Sequence, residues 1–97
     1  MVKINELKDG DRKINIDLSV IEKEDTREVR SRFSNETYKV ANVTAEDETG
    51  TITVVLWNEQ IDQVDVGDRI RIENGYVKSF RDTLQLQAGK YGKLSVI

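Results

Sequence analysis

The chain has 97 residues, enough for one domain with a single modest hydrophobic core. It contains no cysteine and no histidine, which excludes disulfides, thiolate nucleophiles, zinc fingers and imidazole bases. Its carboxylates form no recognisable catalytic set, so we expect a protein that is not an enzyme and needs no cofactor. It shows neither a membrane-spanning apolar run nor a signal peptide, so we expect it to be intracellular.

Charge is distributed unevenly along the chain. The net charge of −3 argues at first against a nucleic-acid partner, since phosphate binding usually goes with a basic domain. Yet residues 27–39 hold four basic against two acidic side chains, and residues 76–93 hold four basic against one. Positive charge is therefore concentrated in two segments, and the fold decides whether they meet.

Three strands are predicted in the first half of the chain. Residues 14–20 alternate between apolar and polar side chains, the pattern of a half-buried strand. A second strand covers residues 38–45 and a third covers 51–57, and the turn between them, AEDETGT, makes them a hairpin. The acidic run of that turn lacks the alternating oxygen ligands of a calcium loop, so we interpret it as a solvated turn.

The second half begins with a short helix. Asn58 can cap it, and Ile61 and Val64 fall three residues apart on its inner side. A fourth strand follows at residues 69–72 and, after the loop KSFRD, a fifth at 83–87.

Five short strands with one helix between the third and the fourth predict an OB-fold, an all-β five-stranded Greek-key barrel that takes up residues 1–97. That fold presents the face of its second and third strands to oligonucleotides or sugars, between its first and last hairpin loops. The two basic segments contain those loops, so the fold would bring them onto one groove.

The only tryptophan closes the third strand on the side that the threonines mark as outward. A lone exposed aromatic is costly unless something covers it, and single-stranded nucleic acid would do so by base stacking. In the alternative interpretation the strand twists late and Trp57 caps the core. Parity alone leaves both interpretations open.

Three motifs carry a family resemblance: DETGTITVVLWN, VGDRIRIENGYVKSF and LQLQAG. As a set they resemble the OB domain of archaeal single-stranded DNA-binding proteins and replication protein A, and the match covers nearly the whole chain. The resemblance implies binding of single-stranded DNA without sequence preference, in replication, repair and recombination. It also implies that Trp57, Tyr76 and Phe80 stack on bases and that the segment REVRSR follows the backbone.

The candidate binding residues combine stacking rings, cations that steer phosphates and amides that can hydrogen-bond base edges. The set is Trp57, Tyr76, Phe80, Phe33, Arg27, Arg30, Arg32, Lys78, Arg81, Gln85 and Gln87, with Tyr38 added for its outward parity.

Several of these assignments have a structural alternative. Tyr76 shares the parity of Ile70 and Ile72, so it reaches the outer face only if Gly75 forms a bulge that shifts the register. Phe80, expected in a loop, could fold back as a lid over the barrel end. The arginines of REVRSR could form a solvated strand face paired with nearby glutamates, although such pairs stabilise by under ~1 kcal/mol.

Two rival functions stay open. A docking or oligomerisation module of a replication protein A-like complex, with other OB domains or repair proteins as partners, would expose a contiguous apolar patch. A single-stranded RNA binder is the closer rival, since stacking ignores the 2′-OH unless a residue reads it.

Overall fold

The structure is a computed structural model that describes residues 1–30, 33, 35–89 and 92–97. A 3₁₀ turn at Ile4–Glu6 leads into the strands. The elements that follow are β1 (Ile14–Lys23), β2 (Arg27–Arg30), β3 (Thr37–Asp47), β4 (Gly50–Trp57), α1 (Glu59–Gln63), β5 (Arg69–Phe80), β6 (Thr83–Gln87) and β7 (Lys93–Val96).

Five of these strands close into a ring. Antiparallel ladders join β1 to β3, β3 to β4, β5 to β6 and β1 to β5. The ring is completed by a short parallel seam between β4 and β6, in which Thr53 pairs with Gln85 and Val54 pairs with Leu86. The predicted OB barrel is confirmed.

The core fills the ring with aliphatic side chains from alternate positions of its strands, among them Ile16, Leu56 and Leu86, which are fully buried. Ile61 of α1 and the following Val64 join this core, as predicted. Asn58 does not cap α1 with its side chain. Its Oδ1 instead accepts a hydrogen bond from the Lys39 N–H at 3.1 Å, because Asn58 sits with φ 51° in a connection that turns back towards β3.

A bulge in the middle of β5 shifts the register, as Tyr76 requires. Ile14 pairs with Gly75 and Ile16 pairs with Ile72, so β5 holds one more residue than β1 between these pairs. Asn74 takes the left-handed conformation, with φ 55°. Gly75 is needed for a different reason, because its neighbours leave no room for a side chain. A Cβ at Gly75 would lie 2.8 Å from Ile72 Cγ2 and 3.0 Å from the Gln87 carbonyl oxygen.

Phe80 does not lie in a loop, and that prediction is wrong. The fourth predicted strand continues past the bulge to Phe80, and only Arg81 and Asp82 turn the chain into β6. Both residues adopt positive φ, 51° and 64°, as the central pair of a tight two-residue hairpin requires.

Two strands were not among the five that the sequence predicts, although a solvated strand at REVRSR was one of its alternatives. β2 pairs with the first half of β3, from Arg27 opposite Val40 to Arg30 opposite Thr37, and so extends the hairpin beyond the barrel. β7 pairs with the first half of β5. At the end of β3, the acidic turn contacts the N-terminal segment, because the Ile4 N–H donates to Asp47 Oδ2 at 2.8 Å.

Candidate nucleic-acid interface

Trp57 lies on the outside of the barrel. It pairs with Val40 across the β3–β4 ladder, on the face opposite the core residues Ala41 and Leu56. Val40 and Val55 share this outer face and are buried without belonging to the barrel core, so the face has an apolar floor of its own. The interpretation in which Trp57 caps the core is therefore wrong.

One amide oxygen joins Trp57 to Tyr76. The indole Nε1–H of Trp57 donates to Gln87 Oε1 at 3.1 Å, and the Tyr76 hydroxyl donates to the same atom at 2.9 Å. Gln87 lies opposite Tyr76 in the β5–β6 ladder, so the three side chains come from three neighbouring strands. All three are half-buried.

Gly89 lets the Tyr76 ring lie close to the backbone that follows β6. A Cβ at this position would be 2.7 Å from Cε1 of the ring. Trp57, Tyr76, Gln87 and Gly89 then border an open pocket of about 380 Å³, which also reaches Asn58 beyond the end of β4. Two aromatic rings in the lining of such a pocket suit a planar ligand.

A second pocket lies beside Trp57. It has a volume of about 400 Å³ and is lined by Val29, Tyr38, Trp57 and Asn58. Tyr38 is half-buried, and its hydroxyl donates to Glu36 Oε2 at 2.6 Å. Trp57 and Asn58 are thus shared by two pockets, one towards β6 and one towards the hairpin of β2 and β3.

The outer row continues along β5 and β6 past the bulge. Tyr76 pairs with Gln87, Lys78 with Gln85, and Phe80 with Thr83, so all of them share one face.

Phe80 leaves 55% of its surface exposed, and the Arg81 guanidinium lies 5.3 Å from the centre of its ring. The structure therefore brings Lys78, Arg81, Gln85 and the three predicted rings together.

The register between β2 and β3 shows which basic residues of β2 lie on the same face as Trp57. Arg27 pairs with Val40 and shares its face with Trp57, whereas Arg30 pairs with Thr37 on the face opposite Val29 and Tyr38. The strand parity thus separates Arg30 from the rings, whereas the sequence places it among the cations that steer phosphates beside them. Arg32 lies outside the described residues, and Phe33 is 99% exposed between positions that are not described.

The chain matches the family described as "Single-stranded DNA binding protein Ssb-like, OB fold" over residues 7–96. It belongs to this Ssb-like family.

Relatives in sequence and in structure agree with this assignment. The chain is 26% identical over 93 residues to the single-stranded DNA binding protein Ssb of Saccharolobus solfataricus, covering 96% of this chain but only 62% of that protein. The second OB-fold domain of replication protein A from Methanococcus maripaludis is 26% identical, with a TM-score of 0.80 over 99% of this chain and 93% of that domain. A replication factor A related protein from Methanobacterium thermoautotrophicum is also 26% identical, with a TM-score of 0.79 over 100% of this chain and 90% of its own.

The opposite side of this Ssb-like barrel is occupied by paired charges. Arg71 donates to Asp17 through Nε at 2.8 Å and through Nη2 at 3.1 Å, and these bonds hold the pKa of Asp17 below its ordinary value. Burial alone would raise the pKa of Asp47, but hydrogen bonds from Thr49 and from the Ile4 N–H lower it overall.

Across the described ranges, no group of three or more acidic, cysteine or histidine side chains is placed to hold a metal ion. The same part of the chain has no helix with the length and apolarity to cross a membrane.

Sequence reasoning missed Val29 and Gly89. Val29 is one apolar residue between charged neighbours, and only the pairing of β2 with β3 reveals that it faces Tyr38. Gly89 stands at the end of the motif LQLQAG, but its role depends on how near the Tyr76 ring lies. Members of the Ssb-like family that keep a glycine here would leave room for a ring at the position of Tyr76.

Proposed function

We propose that this domain binds single-stranded DNA without reading its sequence, by stacking bases on Trp57, Tyr76 and Phe80. The observation that carries the proposal is the placement of these three rings on one outer face, partly open to solvent, in a chain that belongs to the Ssb-like family. Each stacked base contributes about 1–3 kcal/mol to binding, whichever base it is.

The two pockets give the bases somewhere to enter. A base that enters the pocket between Trp57 and Tyr76 has an aromatic ring to stack on and leaves its sugar and phosphate at the open side. Val29 and Tyr38 line the neighbouring pocket, which suits the next base along the strand. A path over these pockets towards Phe80 follows the outer row of β5.

Phosphates would run beside this path. Arg27, Lys78 and Arg81 carry their charge on the ring-bearing side, and none of them belongs to an ion pair found among the described residues. Each phosphate contact makes the affinity for a single strand fall with salt, by about 0.7 in the log–log slope. Because the domain carries a net charge of −3, such contacts orient the strand while stacking supplies most of the affinity.

A titration tests the proposal directly. Trp57 is the only tryptophan, so its fluorescence reports on the proposed site alone. We expect oligo(dT) to quench it at low salt and less strongly at high salt, while duplex DNA leaves it unchanged, because paired bases are not free to stack. An unchanged signal with oligo(dT) at low salt would contradict the proposal and favour a docking module.

The titration also separates DNA from RNA. Oligo(U) offers the same ring faces as oligo(dT) but adds a 2′-OH and lacks the thymine methyl group. We propose DNA as the ligand because the matched family and the Saccharolobus relative are named for single-stranded DNA binding. Equal or tighter binding of oligo(U) would assign the domain to RNA instead.

A further inference from the structure

We propose that Gln87 is a positioning residue, which holds the Trp57 and Tyr76 rings in place before a strand arrives. The inference rests on the proposed function, since it concerns the readiness of the same rings. This role differs from the one that the sequence suggests for Gln87, which is to hydrogen-bond the edges of bases.

The orientation of the Gln87 amide follows from its partners. An indole N–H can only donate, so the atom of Gln87 that faces Trp57 at 3.1 Å must be the acceptor, Oε1. The Tyr76 hydroxyl donates to this same oxygen at 2.9 Å. One carbonyl oxygen has two lone pairs, and here both have a donor, so this oxygen is not free to read a base.

The two bonds act across separate parts of the barrel. Trp57 ends β4 and Gln87 ends β6, on opposite sides of the short parallel seam, whereas Tyr76 lies on β5. Among the residues that the structure describes, no other hydrogen bond ties the indole Nε1 of Trp57 or the hydroxyl of Tyr76 to the barrel. Gly89 adds a second restraint on Tyr76 by letting the ring rest against the backbone.

Rings that are already ordered in the free protein lower the entropic cost of binding DNA. A flexible side chain that must be fixed when a ligand binds reduces affinity, and here two rings share the same fixing group. Loss of the shared acceptor should therefore weaken binding of oligo(dT) by about 5- to 20-fold, mainly through faster dissociation. The effect should be similar for oligo(dT) and oligo(dA), since it acts through the rings rather than through a base edge.

Gln87→Met is the decisive variant, because methionine keeps the length of the side chain but offers only a weak thioether acceptor. The only tryptophan gives one indole N–H signal in a ¹⁵N-labelled sample of the free protein. We expect this proton to exchange with solvent faster in Gln87→Met than in the unchanged protein. Gln87→Glu keeps an acceptor at the same reach and should retain slow exchange.

Two matched controls separate this role from general disturbance. Gln85→Met lies on the same strand and face and should leave the indole signal unchanged. Gln63→Met, at an exposed position at the end of α1, should leave the affinity for oligo(dT) unchanged. A urea titration of Gln87→Met tests whether the barrel is intact.

The outcomes distinguish the inference from the function on which it rests. Faster indole exchange together with a loss of affinity for both oligonucleotides supports the proposal. Unaltered exchange, or altered exchange with full affinity, overturns it, and a loss confined to one base would make Gln87 a base reader. If the unchanged protein binds no oligonucleotide, the proposed function fails, and this inference fails with it.

Discussion

The two halves of β5 carry opposite kinds of surface. Before the bulge, Arg69 and Arg71 point outward, and Arg71 is held by Asp17 of the neighbouring strand. After the bulge the outward positions are those of Tyr76, Lys78 and Phe80, which have no carboxylate opposite them in the ladder. One strand therefore supplies a closed, charge-paired face and an open, aromatic face.

The difference shows what a single extra residue does to a strand. Side chains alternate between the two faces, so one inserted residue exchanges inward and outward positions from that point on. Without it, Tyr76 would join Ile70 and Ile72 in the core, and Val77 would face solvent. The bulge at Asn74 and Gly75 thus creates the aromatic face by register alone.

Of the variants considered, a methyl group added at the bulge should have the largest effect on β5. In Gly75→Ala the new Cβ would meet Ile72 Cγ2 at 2.8 Å and a backbone oxygen at 3.0 Å, and Ile72 is fully buried. We expect a loss of about 2–3 kcal/mol in the free energy of unfolding, measured by urea denaturation.

Gly89→Ala is the matched control for that variant. The three atoms nearest its Cβ all belong to the Tyr76 ring, which can turn aside, so the unfolding free energy should change far less while oligo(dT) binding weakens. Equal destabilisation by the two variants would show that the bulge is no more tightly constrained than the surface.

Removing a ring from the open face should weaken binding without loss of stability. Phe80 is 55% exposed, so Phe80→Ala should cost about 1–2 kcal/mol of oligo(dT) binding and little unfolding free energy. Anisotropy of a labelled oligonucleotide measures the first quantity, and urea denaturation measures the second. Val66→Ala, at a residue that is 59% exposed in the turn after α1, should change neither.

The two arginines of β2 offer a test of sidedness. Arg27 faces the rings and Arg30 faces away, although both are exposed and only three positions apart. Arg27→Ala should reduce the salt dependence of oligo(dT) binding by about 0.7 in log–log slope, and Arg30→Ala should leave it unchanged. Equal slopes for the two variants would mean that the hairpin twists enough to bring both charges to the DNA.

The charge-paired face should respond to acid. The pKa of Asp17 is lowered by Arg71, so the pair stabilises the fold above the ordinary value of 3.8, and this contribution is lost as the pH falls below it. Asp17→Asn should reduce the unfolding free energy at pH 7 by under about 1 kcal/mol and flatten its acid dependence. Its affinity for oligo(dT) should match the unchanged protein, and a weaker affinity would link the two faces.

The sequence predicts the parts of this molecule in which pattern and packing agree. Alternation located the five barrel strands. The bulge at Gly75 is expected chiefly from the family resemblance, which puts Tyr76 on the outer face although its parity points to the core. β2 has four exposed residues and no apolar alternation, so nothing local marks it as a strand. The side of Arg30 and the bonding of Gln87 depend on which strand lies next to which, and a pattern along one strand does not contain that information.

The seam between β4 and β6 is only two residue pairs long, yet it turns an open sheet into a closed barrel. The paired residues are far apart in sequence, so the chain must lose the conformational entropy of closing a long loop before the hydrogen bonds of the seam can form. The seam should accordingly form late in folding and open early when the barrel fluctuates. The hydrogen bond from Trp57 to Gln87 crosses this seam and should help to keep it closed. Single-stranded DNA bound over the Trp57 and Tyr76 rings should therefore slow amide exchange in β4 and β6.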